Sequence, residues 1–318
     1  MIDFLREQGY KEEKYNMTYA PQAINWNYSY ICNLNCRHCY SRTRQGQKPV
    51  STADKYKIVD NIIRNNVFWV NLGGGEPILE DDIYEIIGKM AENNIHVSLS
   101  TNGTYLTEER VKKLAEAKLA TVSISLDSSI AEKHNAVRGY DESFDDVMSA
   151  IELCRKNGIR IMLSTVITTQ NYKEIEDIIK LGIERDCQAI SLKRIKMTGN
   201  AEENKYLELN EDQAVEVYKS VIELKEKYPD FIINFNYSPE KIGDIDGGCP
   251  CGRIAVAILP NGNIVPCVYN DILTLGNAVT DDLGEIFHCS KLEHLRNNFK
   301  CLGSALAKEM KDGHVHIE

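Results

Sequence analysis

The feature that most constrains the fold of this chain is a regular alternation of short apolar runs with amphipathic helical segments between Ala23 and Ile195. The apolar runs are rich in Val, Ile and aromatic residues, which strands prefer. Repeated strand–helix alternation predicts a parallel sheet with right-handed crossovers. Six units are fewer than the eight of a closed barrel, so we predict an α/β fold built as a partial (β/α)6 TIM-like barrel. The six predicted strands cover residues 24–30, 68–72, 96–101, 121–126, 160–168 and 189–195.

Residues that commonly cap helices or form turns indicate where the predicted helices begin and where the C-terminal hairpin lies. One helix is predicted over 143–157, beginning on the capping residue Ser143, and another over 171–185, beginning on Asn171. After a further helix over 210–228, Asn261-Gly262 between two apolar runs predicts a β-hairpin. The predicted organisation is an N-terminal extension (1–22), the barrel (23–235), a small hairpin-plus-helix domain (236–304) and a poorly ordered tail (305–318).

Three cysteines, Cys32, Cys36 and Cys39, form a C-x-x-x-C-x-x-C run directly after the first predicted strand. Closely spaced thiolates suit a soft metal centre, and iron–sulfur clusters are held in this way. Three protein ligands for a four-iron cluster leave one iron open, which is what a catalytic centre needs. A zinc site is the alternative interpretation of this spacing.

A glycine-rich turn, Leu72-Gly-Gly-Gly-Glu-Pro77, follows the second predicted strand. Glycines after a strand let the backbone approach a ligand closely. Taken together, the cysteine run and this turn resemble the radical S-adenosylmethionine (radical SAM) superfamily, with His38 at a position usually held by an aromatic residue. The resemblance extends from about Ala23 to about Asn298.

The resemblance implies where the cofactor S-adenosylmethionine would bind. The glycine-rich turn matches the strand end that receives the methionine amino group, and Arg138 matches an arginine that meets the methionine carboxylate. A guanidinium suits a carboxylate because the two groups pair through parallel hydrogen bonds. Polar groups at other strand ends would hold the ribose or the methionine. The implied cofactor-binding residues are Tyr40, Gly73, Gly74, Gly75, Glu76, Pro77, Asn102, Ser125, Asp127 and Arg138.

A second group of cysteines lies near the C-terminus. Its surroundings resemble the extension called SPASM, because a cysteine follows the hairpin. Since few cysteines come after it, the segment is more similar to the shortened form called twitch. The resemblance implies a second, auxiliary [4Fe–4S] cluster, although a zinc site and free core cysteines are alternatives. The implied ligands are Cys251, Cys267, Cys289 and Cys301, and Cys249 either replaces Cys251 or serves as a hydrogen-atom donor.

The resemblance also implies an activity. A reduced cluster would cleave S-adenosylmethionine to a 5′-deoxyadenosyl radical, which abstracts a hydrogen from the substrate. A peptide or protein substrate is favoured, because that is the commonest use of the C-terminal extension. The alternatives are a small-molecule dehydrogenase or epimerase acting on sugars or aminoglycosides, and a non-catalytic iron–sulfur electron carrier. A flavodoxin- or ferredoxin-type protein would supply electrons.

Charge and cysteine usage restrict the partners and the compartment. The 318-residue chain has a formal net charge of −10, which argues against a general nucleic-acid or anionic-membrane binder. It begins without a signal-peptide pattern and contains no run of about 20 apolar residues. Ten cysteines in two main clusters favour metal binding in a reducing cytoplasm over disulfides, and an oxygen-labile cluster implies an anaerobic cell.

Overall fold

The structure, a computed structural model, describes residues 19–41, 47–235, 250–298 and 301–312. A single ten-stranded sheet runs through it in the order β10-β9-β8-β1-β2-β3-β4-β5-β6-β7. The strands are β1 (Ala23–Ser29), β2 (Trp69–Gly74), β3 (His96–Thr101), β4 (Thr121–Ser125), β5 (Arg160–Ile167), β6 (Ala189–Arg194), β7 (Ile232–Phe235), β8 (Ala255–Ile258), β9 (Asn263–Val265) and β10 (Gly276–Asn277).

Helices connect the parallel strands, as the alternation predicts. Side chains cap several of their N-termini: Ser51 accepts from the Asp54 N–H before the first helix, and Asn210 forms a capping box with Gln213 before the seventh. The helices are α1 (Thr52–Arg64), α2 (Ile83–Glu92), α3 (Glu108–Glu116), α4 (Ala131–Arg138), α5 (Ser143–Lys156), α6 (Ile175–Glu184), α7 (Glu211–Lys227), α8 (Leu283–Phe287), α9 (Ser290–Asn298) and α10 (Ser304–Lys311).

The predicted parallel barrel sheet is confirmed, and it gains one strand. Strands β1 to β7 pair in parallel with their sequence neighbours, so β7 is a seventh strand that the prediction missed. Four residues are too short a run to stand out after a long helix.

The predicted hairpin is also present, with Gly262 at φ +85° in its turn. It continues the barrel sheet, because β8 pairs in parallel with β1 from Ala23↔Ala255 to Trp26↔Ile258. The division into a barrel domain and a small C-terminal domain stays a prediction, since one sheet crosses the proposed boundary.

Two predicted helix caps are wrong, and the first half of the predicted tail forms a helix. Ser143 does not cap α5, since it is the first helical residue and its hydroxyl is bonded to His134 Nε2 at 3.0 Å. Asn171 lies before α6 and donates to the carbonyls of Asp127 and Val166 instead. The helix α10 covers residues 305–311 of the segment 305–318 expected to be poorly ordered, with Leu306 buried in the core.

The two faces of the strands have opposite character. One face carries branched apolar side chains that pack under the helices, such as Leu72, Leu99 and Ile124. The other face is polar and small, and register aligns its members across the sheet, as in Asn25↔Asn71 and Asn71↔Ser98. The barrel lumen is therefore polar, which leaves room for a ligand at its open end.

Candidate active site

A cavity of about 340 Å³ opens at the carboxyl ends of the barrel strands. Both cysteine groups reach it. All three cysteines of the first run line the cavity, and so do Cys251 and Cys267 from the second group. The tertiary structure thus brings together two motifs that lie more than two hundred residues apart in the chain.

The cysteine loop is fixed to the end of β2 by backbone hydrogen bonds. The Gly75 N–H donates to Ser29 O at 2.8 Å, and the Glu76 N–H donates to Ile31 O at 2.7 Å. A Cβ on Gly75 would lie 2.7 Å from the Ile31 carbonyl carbon, and Gly74 has φ +103°. These glycines are therefore needed to let the cysteine loop pack on the strand end, in addition to any contact with a ligand.

A second clamp holds the loop from the opposite side. The Asn200 N–H donates to Cys39 O at 2.8 Å, and its side-chain amide donates to Cys36 O at 2.9 Å. The Arg37 N–H donates to Val137 O at 2.9 Å. The backbone that carries the three thiols is thus held at several points before any metal binds.

Glu76 is almost fully buried and joins two strand ends. Its Oε2 accepts from the Asn102 N–H at 2.7 Å, and its Oε1 accepts from the Ile78 N–H at 3.4 Å. Burial raises the pKa of Glu76 to about 7, and these hydrogen bonds moderate the rise. Glu76 lines the cavity, so its carboxylate can also interact with a cation placed there.

Asp127 is the hub of a buried charge network beside the cysteine loop. Its Oδ2 lies 2.7 Å from His38 Nε2 and 2.8 Å from Arg138 Nη2, and its Oδ1 accepts from the Val166 N–H at 2.9 Å. Burial alone would raise the pKa of Asp127, but Arg138 and His38 hold it well below its usual range. On Arg138, Nη1 is 3.8 Å from Cys36 Sγ.

Asp127 holds two neighbouring side chains, Arg138 and His38, through its Oδ2. It is absent from the residues that line the main cavity, and its contact with the cofactor stays a prediction. Pro77 also lies away from the cavity lining, as the first residue of a buried 3-10 turn over Pro77–Leu79.

The other predicted cofactor-binding residues line the cavity. The Tyr40 hydroxyl donates to Asn27 Oδ1 at 3.0 Å. The Tyr40 ring packs edge-on against the Tyr269 ring, with 4.9 Å between the ring centroids. The Asn102 side-chain amide donates to Asn33 Oδ1 at 2.9 Å. The predicted residues in the lining are Tyr40, Gly73, Gly74, Gly75, Glu76, Asn102, Ser125 and Arg138.

Two of the auxiliary cysteines, Cys267 and Cys301, lie beside Gly303. A Cβ on Gly303 would lie 2.9 Å from Cys267 Sγ and 3.7 Å from Cys301 Sγ, so these two sulfurs are neighbours. Cys289 Sγ accepts from the Leu292 N–H at 3.4 Å, and a Cβ on Gly252 would lie 3.3 Å from Leu292 Cδ1. The predicted Cys249 lies outside the described residues.

Arg296 ties the segment after Cys251 to the helix after Cys289. Its Nε donates to Gly252 O, and its guanidinium stacks over the Phe287 ring at 4.2 Å. Within the described ranges, no three His, Cys, Asp or Glu side chains are grouped to hold a single metal ion. In a cubane cluster each thiolate binds a different iron, so the sulfur atoms lie farther apart than the ligands of a single metal ion.

Sequence reasoning missed Lys193, Asn25, Asn27 and Tyr269, all of which line the cavity. A signal for some of them was available, because polar residues alternate with apolar ones inside strands of an α/β sheet that ordinarily read as apolar throughout. Asn25 and Asn27 show this pattern in β1, and Lys193 shows it in β6.

The comparisons with known proteins agree with this geometry. The sequence profile of the radical SAM superfamily matches residues 26–182, and the profile of an iron–sulfur cluster-binding domain, SPASM, matches residues 249–306. The chain belongs to the radical SAM superfamily. Mycofactocin maturase MftC of Mycobacterium tuberculosis is 30% identical over 270 residues, covering 82% of this chain and 68% of MftC.

Further relatives have names that describe different activities. An AdoMet-dependent heme synthase of Methanosarcina barkeri is 31% identical over 190 residues, covering 59% of this chain and 54% of the synthase. Among solved structures, Streptococcus suis SuiB bound to precursor peptide SuiA superposes with a TM-score of 0.73. SuiB is 21% identical, with 96% of this chain and 74% of SuiB covered, so this likeness concerns the fold.

Membership makes the chain a radical SAM enzyme, with S-adenosylmethionine and a [4Fe–4S] cluster as cofactors and with auxiliary iron–sulfur binding in the SPASM region. The donor set fits the catalytic cluster, because three thiols on one clamped loop face one cavity. Burial raises the pKa of Cys32 to about 11. It also raises the pKa of Cys36, although the positive charge of Arg138 reduces that rise. Ligation of iron therefore requires these thiols to release protons.

Gly75→Ala is expected to lower iron content and S-adenosylmethionine cleavage, since the new Cβ would collide with the Ile31 carbonyl and push the cysteine loop off the strand. Overpacking of this kind costs about 1–3 kcal/mol. Iron analysis and absorption spectra after anaerobic reconstitution measure the effect. The matched control is Gly88→Ala on α2, where a Cβ meets nothing within 4 Å. Equal iron in both variants would contradict the prediction.

Arg138→Ala is expected to weaken S-adenosylmethionine binding by about tenfold or more, because a lost charge-assisted hydrogen bond costs roughly 1.5–3 kcal/mol. The Arg138 Nε has no partner among the described residues, so it is available to a carboxylate. Equilibrium dialysis of the reconstituted protein measures this affinity. Arg155→Ala, which removes only surface ion pairs with Glu152 and Asp186, serves as the control. A cofactor-bound structure with Arg138 away from the methionine would refute the assignment.

Proposed function

We propose that this radical SAM enzyme is a peptide maturase that modifies a peptide or protein by abstracting a hydrogen from it. The observation that carries the proposal is the shared cavity, in which the three-cysteine loop and the auxiliary cysteines Cys251 and Cys267 face one polar lumen. A substrate in that lumen would lie within reach of both cysteine groups. When bound, S-adenosylmethionine and the reduced catalytic cluster supply the hydrogen-abstracting radical.

The chain's own residues would position and isolate the reactants. The clamped loop would hold Cys32, Cys36 and Cys39 in place as ligands, while Glu76 would accept from an ammonium group and Arg138 would donate to a carboxylate. Asp127 keeps Arg138 in this orientation through their 2.8 Å ion pair. The auxiliary site, with Cys251, Cys267, Cys289 and Cys301 as proposed ligands, would accept or relay an electron.

The relatives support a peptide substrate. MftC is a maturase by name, and the SuiB structure holds a precursor peptide. We include in the proposal a flavodoxin- or ferredoxin-type electron donor. None of the helices in the described part of the chain is long and apolar enough to span a membrane.

A small-molecule reaction is the second candidate, and the 31% identity to a heme synthase favours it. Such an enzyme would place a compact ligand in the same lumen. An epimerase would additionally need a hydrogen-atom donor, the role for which Cys249 is the sequence-based candidate.

The test uses anaerobically reconstituted full-length protein with S-adenosylmethionine and dithionite. Short peptides translated from reading frames adjoining the gene are added, and products are identified by mass spectrometry. We expect 5′-deoxyadenosine and a mass change on one peptide. Failure to form 5′-deoxyadenosine would contradict the proposal outright. Stimulation by porphyrins, with every peptide unchanged, would favour the small-molecule candidate.

A further inference from the structure

Lys193 places a positive charge in the cavity away from the cysteine loop. It lies near the end of β6, paired in register with Val166 of β5, and both residues line the cavity. In the sheet order, β3, β4 and β5 separate β6 from the glycine-rich end of β2. Lys193 therefore lines the lumen from β6, three strands removed from the glycine-rich turn and within the electrostatic reach of Arg138.

The other charged side chains of the cavity lining already have partners. Arg138 and His38 both bond to Asp127, and Glu76 accepts from the Asn102 N–H. Lys193 differs, because no hydrogen bond or ion pair joins it to another residue of the ranges that the structure describes. The charges that act on it come from Arg138 and Asp127, and no cysteine is among them.

The surroundings make an unpartnered ammonium unfavourable. Lys193 is exposed to the water of the cavity, yet the cavity walls crowd it. Desolvation by these walls lowers the pKa of Lys193, and the nearby positive charge of Arg138 lowers it further. An anion bound in the lumen would stabilise the charged form, and a carboxylate would do so through a charge-assisted hydrogen bond.

We propose that Lys193 binds a carboxylate of the substrate, so that the peptide is recognised by an acidic side chain or by its C-terminal carboxyl group. This inference rests on the proposed peptide-maturase function and specifies its substrate class. The neighbouring wall of small polar side chains, including Ser123, Ser125 and Ser164, leaves space for the rest of the residue that carries the carboxylate. The carboxylate of S-adenosylmethionine is the other possible source of the same chemistry.

The experiment measures binding and does not require turnover. Reconstituted full-length protein is immobilised with S-adenosylmethionine but without reductant. It is exposed to N-acetylated hexapeptides randomised at every position, made once with a free carboxyl terminus and once as carboxamides. Retained peptides are identified by mass spectrometry. The variants are Lys193→Met and Lys193→Arg, and the control is Lys156→Met, which removes only an exposed lysine paired with Glu152.

We expect the parent protein to enrich carboxylate-bearing peptides by about tenfold over neutral ones, as one charge-assisted hydrogen bond allows. Lys193→Met should lose this enrichment, whereas Lys193→Arg and the control should keep it. Comparison of the two libraries tells a C-terminal carboxyl group from an acidic side chain. Absence of enrichment in the parent, or equal enrichment by Lys193→Met, would overturn the proposal.

The cofactor is tested separately by equilibrium dialysis of S-adenosylmethionine with each variant. Unchanged affinity in Lys193→Met is expected. A tenfold loss would assign Lys193 to the methionine carboxylate and overturn the substrate assignment. Because these measurements need no reductant, a failure of this inference is distinguishable from a failure of the proposed function, which is read from 5′-deoxyadenosine and peptide products.

Discussion

Replacing Cys32, Cys36 and Cys39 together with alanine is expected to abolish 5′-deoxyadenosine formation and to remove about four irons per chain, the content of one cubane cluster. The three thiols lie on one clamped loop and face one cavity, so no other described cysteine group can substitute for them at the end of β1. Iron analysis and chromatography of the cleavage products measure both effects. The remaining iron, about four atoms, should stay with the C-terminal cysteines.

The matched control is the double variant Cys154→Ala with Cys187→Ala. Both residues are buried in the apolar core, and burial raises the pKa of each thiol to about 12. Their removal should leave iron content and cofactor cleavage unchanged. Cofactor cleavage that persists in the triple variant would contradict the assignment of the catalytic cluster.

Replacing the proposed auxiliary ligands Cys251, Cys267, Cys289 and Cys301 with alanine is expected to remove a further four irons or so and to stop substrate turnover. Cleavage of the cofactor without substrate should persist, because the catalytic loop is untouched. The sulfurs of Cys267 and Cys301 are already neighbours at Gly303, which makes a shared cluster geometrically reasonable. Zinc in place of iron, or unchanged iron content, would contradict this prediction.

Loss of the auxiliary cluster should loosen only part of the C-terminal segment. Strand β8 is fully buried and paired with β1, so the sheet holds it independently of metal. The helices α9 and α10 lie outside the sheet and depend on apolar contacts such as those of Leu292 and Leu306. Hydrogen exchange in the quadruple variant should therefore rise in α9 and α10 and change little in β8. Cys249→Ala provides the comparison, since a spare thiol leaves iron content unchanged.

The charge network around Asp127 gives the His38 side chain a structural role beside the cysteine loop. Its imidazole lies 2.7 Å from the same carboxylate oxygen that holds Arg138. A buried carboxylate needs compensating donors, and this pair supplies two of them. The network therefore positions the guanidinium beside Cys36 without placing Asp127 itself in the cavity.

Local pattern determined the class of fold and the location of the active site. Alternating strands and helices specify a parallel sheet because each crossover must bury one apolar face, and parallel sheets place ligands at their carboxyl ends. The cysteine run and the glycine-rich turn could be recognised from the sequence alone, because the residues of each motif are close together in the chain. The hairpin could also be predicted from the sequence, because Asn261-Gly262 is a local turn signal.

Tertiary structure decided what local pattern could not. Ser143 and Asn171 resemble helix caps, but the Ser143 hydroxyl bonds to His134, and the Asn171 amide donates to the carbonyls of Asp127 and Val166. The parallel pairing of β8 with β1 and the free ammonium of Lys193 in the lumen depend on how remote strands meet. A side chain's partners are set by neighbours in space, and for these residues most of those neighbours lie far away in the sequence.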